Sequence, residues 1–110
     1  MSHNTNETSV EIKERTSRAR LRQKKRFDGT TIFSNAQMNH RHIKEFCEIN
    51  DESKELLKVA IDELGLSARA HDKILKVART IADLAGEEKI LSEHISEAIQ
   101  YRSLDRNLWL

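Results

Sequence analysis

The sequence has few of the residues that interrupt or cross-link a chain. It contains no proline, three glycines, one cysteine and five aromatic residues, namely three phenylalanines, one tyrosine and one tryptophan. Without proline, nothing forces a helix to break. The single cysteine, Cys47, excludes an internal disulfide and suits a reducing, cytoplasmic setting. Since no apolar run is as long as a membrane span and no signal-peptide pattern opens the chain, we expect no membrane association.

The remaining composition favours one small all-α domain. A chain of 110 residues with 37% hydrophobic and 34% charged residues can bury a single small core. Apolar periodicity and capping residues predict a bundle of four to five helices, and we expect a disordered tail at 1–8 and a C-terminal tail at 107–110. The predicted helices cover residues 9–26, 39–48, 51–64, 68–85 and 93–101.

The stretch between Gly65 and Gly86 contains the clearest helix. Its apolar residues recur every three or four positions, and Ser67 is placed to cap the helix. Arg69 follows two residues later, where the helix dipole disfavours a cation by roughly 0.3–1 kcal/mol. Because free N–H groups at this end attract anions, Arg69 suggests a contact to an external phosphate. The alternative is an exposed ion pair with Asp72, which would contribute little.

Positive charge is concentrated in residues 11–26, where eight Lys/Arg and two Glu give a local charge of +6 and leave −5 for the rest of the chain. One hypothesis is a stand-alone nucleic-acid-binding module that uses the basic helix 13–26. Against it, no aromatic residue is interleaved with the charges to stack on bases, so a solvated helix face is the alternative. The candidate nucleic-acid contacts are Arg15, Arg18, Arg22, Lys25 and Arg26.

Other chemistry-bearing residues do not form a recognisable catalytic or metal-binding pattern. His40, His42 and Cys47 lack the four well-spaced ligands of a zinc site, and we expect Cys47 to be buried packing. Ile32 and Phe33 are predicted to pack the non-helical connection after residue 26 against the rest of the domain. His94 is expected at the surface. The sequence contains no phosphate loop, carboxylate pair or Ser/His/Asp set, so we expect the chain to be non-catalytic alone and to bind no metal or cofactor by itself.

Two motifs resemble a known family. They are L-G-L-S-A-R-A-H-D-K-I-L-K-V-A-R-T-I-A-D-L-A-G and, shortly after it, I-L-S-E-H-I-S-E-A-I-Q-Y-R. Together with V-E-I-K-E-R-T-S-R-A-R upstream, they make residues 9–106 similar to the C-terminal domain of magnesium-chelatase-like AAA+ ATPases. Within that family the sequence resembles the ComM/YifB competence-protein branch, with the chelatase ATPase subunit more distant. The resemblance implies a helical lid that closes over ATP between subunits of a ring.

The resemblance also assigns roles to particular residues. Ser67-Ala68-Arg69 matches the sensor-2 motif, which implies that Arg69, supported by Ser67, contacts the ATP γ-phosphate. Arg79 falls within the family pattern as a lid-packing or subunit-interface residue, with an ion pair to Asp83 as the alternative. The nucleotide-binding motifs of the family are not in this chain. The parent protein is therefore expected to hold ATP and Mg²⁺ in its own upstream AAA+ domain and to form a homo-oligomeric ring.

Two activities are implied for such a parent. The competence branch implies an ATP-driven motor that acts on DNA, whereas the chelatase branch implies insertion of a metal into a porphyrin. The close L-S-A-R-A match and the D-R-N-L-W ending favour the DNA motor. A third hypothesis is that the chain is a purely structural oligomerisation domain.

Overall fold

The computed structural model describes the backbone of residues 8–104 and the side chains of residues 8–101. Five α-helices and one 3₁₀ helix follow one another, and no strand occurs in this part of the chain. The all-α bundle predicted from the sequence is therefore confirmed. The helices are α1 (Ser9–Arg26), the 3₁₀ helix (Asn35–Gln37), α2 (His40–Phe46), α3 (Asp51–Leu64), α4 (Ala68–Leu84) and α5 (Ser92–Leu104). The tails predicted at 1–8 and 107–110, and Trp109, lie outside the described residues, except that Thr8 caps α1.

Side-chain caps set the beginnings of the helices. Thr8 and Glu11 form a reciprocal capping box, in which Thr8 Oγ1 accepts a hydrogen bond from Glu11 N at 3.1 Å. Asn50 accepts from Ser53 N at the start of α3, and Ser67 accepts from Ala70 N at the start of α4. These bonds satisfy backbone N–H groups that a helix leaves unpaired at its first turn. The boundaries predicted for α1 and α3 are thus the observed ones.

Helix α4 is the centre of the fold. It packs against α5, α1, α2 and the 3₁₀ helix, while α3 packs against α5. Ile74, Ala78 and Ala82 are completely buried on α4, opposite Ile95 and Ala98 of α5. Alanine at these positions lets helix backbones approach closely, and α4 packs more extensively against α5 than against any other helix. The remaining helices cover this pair.

Phe27 and Phe46 connect α1 to α2. Their rings meet edge to face at a centroid distance of 5.2 Å, directly after the last turn of α1 and at the end of α2. Along α1 itself, only Ala19 is buried. As the narrow apolar stripe predicted, α1 is a peripheral helix that lies on the body mainly through its second half.

Several side chains differ from their predicted positions. His94 is buried rather than exposed, because its Nδ1 accepts a hydrogen bond from the Leu91 N–H at 2.9 Å where α5 begins. That helix begins at Ser92, one residue before the predicted start. Phe33 is 78% exposed rather than tucked against the body, although Ile32 packs on the core as expected. On α3, Leu64 of the predicted core stripe is also exposed.

A buried group of charged side chains joins the outer parts of the domain to α4. Asp83 is 1% exposed and receives both terminal nitrogens of Arg26 at 2.6 and 2.9 Å. Arg79 Nη2 lies 3.3 Å from the same carboxylate, and Asn35 Nδ2 donates to it at 2.9 Å. Arg79 also donates to the backbone carbonyls of Glu87 and Glu88. One carboxylate therefore holds together α1, the 3₁₀ helix, α4 and the connection to α5.

None of the helices in the described part of the chain combines the length and the apolar character needed to cross a membrane.

Replacing Asp83 with asparagine should destabilise the domain strongly. The change leaves the buried guanidinium of Arg79 and the partly buried guanidinium of Arg26 without their counter-charge, and breaking a buried pair in this way costs about 3–5 kcal/mol. Urea unfolding followed by circular dichroism measures the effect. Asp62→Asn is the matched control, since Asp62 is exposed on α3 and its change should stay within about 0.5 kcal/mol. Equal stability of the two variants would contradict the structural role given to Asp83.

Candidate functional site

The first turn of α4 is an open helix N-terminus. Gly65 ends α3 in the left-handed conformation, with φ of 62°, and Ser67 follows in an extended conformation as the cap of α4. The left-handed conformation is sterically easy for glycine, which allows the chain to leave α3 and begin α4 after three residues. Arg69 is the second residue of α4 and is exposed. Cap, helix terminus and arginine are thus arranged as the sequence predicted.

Arg69 borders a shallow pocket of about 360 Å³. Lys73 and Lys76 of α4 line the same pocket, four and seven residues after Arg69. At these spacings, side chains lie on one face of a helix. The lining residues are Met38, Asn39, His40, Ile43, Arg69, Asp72, Lys73 and Lys76. We refer to this cavity as the α4 pocket.

The carboxylate of Asp72 does not pair with Arg69 in the described part of the chain. Its partners there are His40, whose Nδ1 lies 3.1 Å from Oδ2, and His71, whose Nδ1 lies 3.3 Å from Oδ1. The alternative explanation for Arg69, an ion pair with Asp72, is therefore not the arrangement observed. Asp72 is directed to the α2 side of the pocket, and Arg69 has not been neutralised by it.

This arrangement suits an anion with several oxygens. Three side-chain cations and the N-terminal end of a 17-residue helix attract negative charge. Lys76 Nζ is held near the wall of the pocket by a 3.4 Å contact to the Ala36 carbonyl. Sequence reasoning singled out Arg69 but missed Lys73 and Lys76, although their i+4 and i+7 spacing was visible. The arrangement can therefore attract and orient an anion.

Arg79 lies inside the domain. It is 4% exposed, and its terminal nitrogens are bonded to backbone carbonyls and to Asp83. Burial lowers the pKa of the Arg79 guanidinium, while the charge of Asp83 opposes this. Arg79 is therefore packed inside the domain and forms the ion pair with Asp83 that the sequence offered as the alternative, which leaves little of its side chain exposed.

The basic residues of α1 do not form one continuous surface. Arg26 is the bidentate partner of Asp83, so the structure gives it an internal role in place of the predicted nucleic-acid contact. Arg22 donates to the Gly86 carbonyl at 3.1 Å, and Arg18 lies 3.8 Å from Glu14 in an exposed pair. Arg15 is half-buried, and Lys25 is exposed. Of the five candidates, Arg18 and Lys25 are fully on the outer surface.

Cys47 is buried packing, as predicted. It is 3% exposed, and its Sγ lies 3.9 Å from Met38 Sδ. Burial raises the pKa of the Cys47 thiol to about 11, with smaller opposing effects from Arg79 and Arg26. Within the described residues, no group of three or more His, Cys, Asp or Glu side chains could hold a metal ion. Cys47 is thus neither a thiolate nucleophile nor part of a metal cluster in this region.

The sequence of this helical domain matches one family over nearly its whole length. The family described as magnesium chelatase, subunit ChlI C-terminal, matches residues 6–102. The chain belongs to this family. The resemblance inferred from the two motifs is therefore confirmed, and the fold described above is the structure of a member of this family.

The chain is also similar to individual relatives. It is 41% identical to the competence protein ComM of Haemophilus influenzae over 102 residues, which is 93% of this chain and 19% of the relative. It is 40% identical to the protein YifB of Escherichia coli and 37% identical to YifB of Salmonella typhimurium, with the same shares covered. The chain thus spans about one fifth of the length of these relatives.

Cys47 should react slowly with iodoacetamide in the folded protein. Only the thiolate is the nucleophile, and a pKa of about 11 keeps the thiol protonated at pH 8. Mass spectrometry should show that the folded chain is modified at least about tenfold more slowly than the chain unfolded in 8 M urea. The unfolded thiol has an ordinary pKa of about 8.5 and therefore forms more thiolate. The destabilised Asp83→Asn protein should react at an intermediate rate. Rapid modification of the folded wild-type chain would contradict the burial of Cys47.

Proposed function

We propose that this domain is the C-terminal helical lid of a magnesium-chelatase-like AAA+ ATPase of the ComM type. The observation that carries the proposal is the position of Arg69, exposed at the open N-terminus of α4 and beside Lys73 and Lys76. In this role Arg69 acts as the sensor-2 residue and contacts the γ-phosphate of ATP, with Ser67 fixing the helix start. An arginine supplied in this way stabilises the charge that develops during phosphoryl transfer.

The chemistry of the α4 pocket fits a nucleotide phosphate. Lys73 and Lys76 add point charges beside the planar guanidinium of Arg69, and these are the side chains that commonly bind phosphate oxygens. Mg²⁺ requires oxygen ligands such as carboxylates, and the single carboxylate in the pocket, Asp72, already pairs with two histidines. Mg²⁺ and most of the contacts to ATP are therefore assigned to an upstream nucleotide-binding domain of the parent protein.

The larger assembly follows from the same proposal. A lid that delivers an arginine to ATP must close on a nucleotide-binding domain, and a homo-oligomeric ring would place this site between subunits. A cytoplasmic motor that acts on DNA is the activity we favour, and the similarity to a competence protein, ComM, supports this choice. Insertion of a metal into a porphyrin is the second candidate activity, and the family name supports it. DNA-stimulated ATP hydrolysis by the full-length protein would separate the two.

Arg69→Ala in the full-length protein should slow ATP hydrolysis by about 10²–10³-fold. This is the range found when one group that stabilises a transition-state charge is removed. Steady-state phosphate release measures the rate. The stability of the 110-residue chain should change by less than about 0.5 kcal/mol, because Arg69 is exposed and is not a partner of Asp72.

Arg41→Ala provides the matched control for this experiment. Arg41 is an exposed arginine of α2 that does not line the α4 pocket, so its removal changes the net charge equally. Hydrolysis by this variant should stay close to the wild-type rate. If Arg69→Ala and Arg41→Ala hydrolyse ATP equally fast, Arg69 has no sensor role and the proposal is wrong.

A further inference from the structure

Phe33 is a large aromatic side chain on the surface of the connection between α1 and α2. It is 78% exposed, more than any other large hydrophobic residue in the described part of the chain. Exposing such a ring forgoes the free energy of burial, about 1.5–3 kcal/mol for a phenylalanine. Isolated exposed apolar residues are common, so exposure alone does not define a binding site. The surroundings of Phe33 supply the further evidence.

The backbone that carries Phe33 is held in place by hydrogen bonds. Gln37 Oε1 accepts from the N–H groups of Phe33 and Ser34, at 2.6 and 3.2 Å. Gln23 Oε1 of α1 accepts from Asn35 N at 2.9 Å and fastens the same segment to the helix. On the other side, Thr30 Oγ1 donates to the Phe27 carbonyl at 2.6 Å. The ring is therefore presented from a fixed loop, which lowers the entropy cost of a contact to it.

The basic side chains that flank Phe33 come from α1. Arg20 and Lys24, one turn apart and both exposed, line a pocket of about 550 Å³ together with Phe33. Asp28 is the one carboxylate that faces this pocket. Across residues 8–34, eight Lys/Arg stand against Glu11, Glu14 and Asp28, so the net charge of the region is +5. We refer to Arg20, Lys24 and Phe33 as the Phe33 platform.

We propose that the Phe33 platform binds single-stranded nucleic acid. A base stacks on the ring of Phe33, and the adjacent phosphates lie against Arg20 and Lys24. Proteins that bind single strands combine these same two elements, a basic groove and an exposed aromatic ring. A duplex hides the faces of its bases, and an acidic protein surface would use the cations but not the ring. The combination of ring and cations therefore favours a single strand.

The proposal uses residues of α1 that the sequence did not single out as contacts. In the sequence, the absence of an interleaved aromatic residue weighed against nucleic-acid binding by residues 13–26. In the fold, the aromatic residue comes from the following loop, seven residues beyond the helix end at Arg26. The platform does not include Arg69 or the α4 pocket. The proposal of nucleic-acid binding is therefore independent of the proposed role of Arg69 in ATP hydrolysis.

Fluorescence anisotropy at low salt with a labelled oligo-dT of about 20 nucleotides tests the platform in the 110-residue chain. A strand of this length exceeds the roughly 4–16 nucleotides that one single-strand-binding fold covers. The chain should bind it, and Phe33→Ala should weaken binding by about tenfold or more, the loss expected for one stacked base. Phe33→Tyr keeps a ring and should retain the affinity. Circular dichroism should show that these surface variants remain folded.

A charge-matched pair of double variants tests the cations. Arg20→Gln with Lys24→Gln should lower the affinity and reduce the salt slope by about 1.4, or 0.7 for each cation lost. Arg18→Gln with Lys25→Gln removes the same charge from other sides of α1 and should have a smaller effect. A labelled oligo-rU of the same length shows whether the strand preferred is DNA or RNA.

Three results would overturn the proposal. They are no binding of either oligonucleotide at low salt, unchanged affinity in Phe33→Ala, and equal losses in the two double variants. Either of the last two results would show that the strand is attracted by the net charge of α1 and is not bound at the Phe33 platform. Because these measurements need no ATP, their failure would leave the role of Arg69 untouched, and a failed Arg69 experiment would leave the platform untouched.

Discussion

The carboxylate of Asp83 is the interaction on which the arrangement of the domain depends. It receives Arg26 from α1, Arg79 from its own helix and Asn35 from the 3₁₀ helix. Without it, α1 would rest on the body mainly through Ala19 and the Phe27 ring. A buried ion pair costs desolvation and repays it only when geometry and further hydrogen bonds are good. Here the bidentate pair and the carbonyls of Glu87 and Glu88 supply the geometry and most of the hydrogen bonds, while the buried Nε of Arg79 has no partner in the described part of the chain.

The fold was largely predictable because the helix signals are local. Ser67 caps α4 in the structure as the sequence indicated, and the apolar spacing of α4 identified its buried face. The buried polar residues were not predictable in the same way. A pattern of apolar spacing counts arginine and histidine as surface residues, so it cannot show that Arg26 turns inward to a long-range partner or that His94 is buried at a helix start.

The candidate phosphate site was predictable only in part, since it depends on both local and tertiary structure. Arg69 stood out because a cation conflicts with the helix dipole at that position. Burial of Ile74, Ala78 and Ala82 along the same helix stabilises α4 by far more than the roughly 0.3–1 kcal/mol of that conflict. The helix can therefore retain an unfavourable residue at its open end. The α2 side of the pocket, where His40 meets Asp72, comes from residues 32 positions away.

The basic segment of α1 shows why a count of charges does not define a binding surface. A helix places residues 100° apart, so eight cations in sixteen positions are distributed around its whole circumference. Arg22 and Arg26 point to the body and bind Gly86 and Asp83, where they serve as structural residues. Arg20 and Lys24 face the loop that exposes Phe33. The same run of charge thus divides into a part that attaches the helix and a part that faces solvent, and only the second part can attract a ligand.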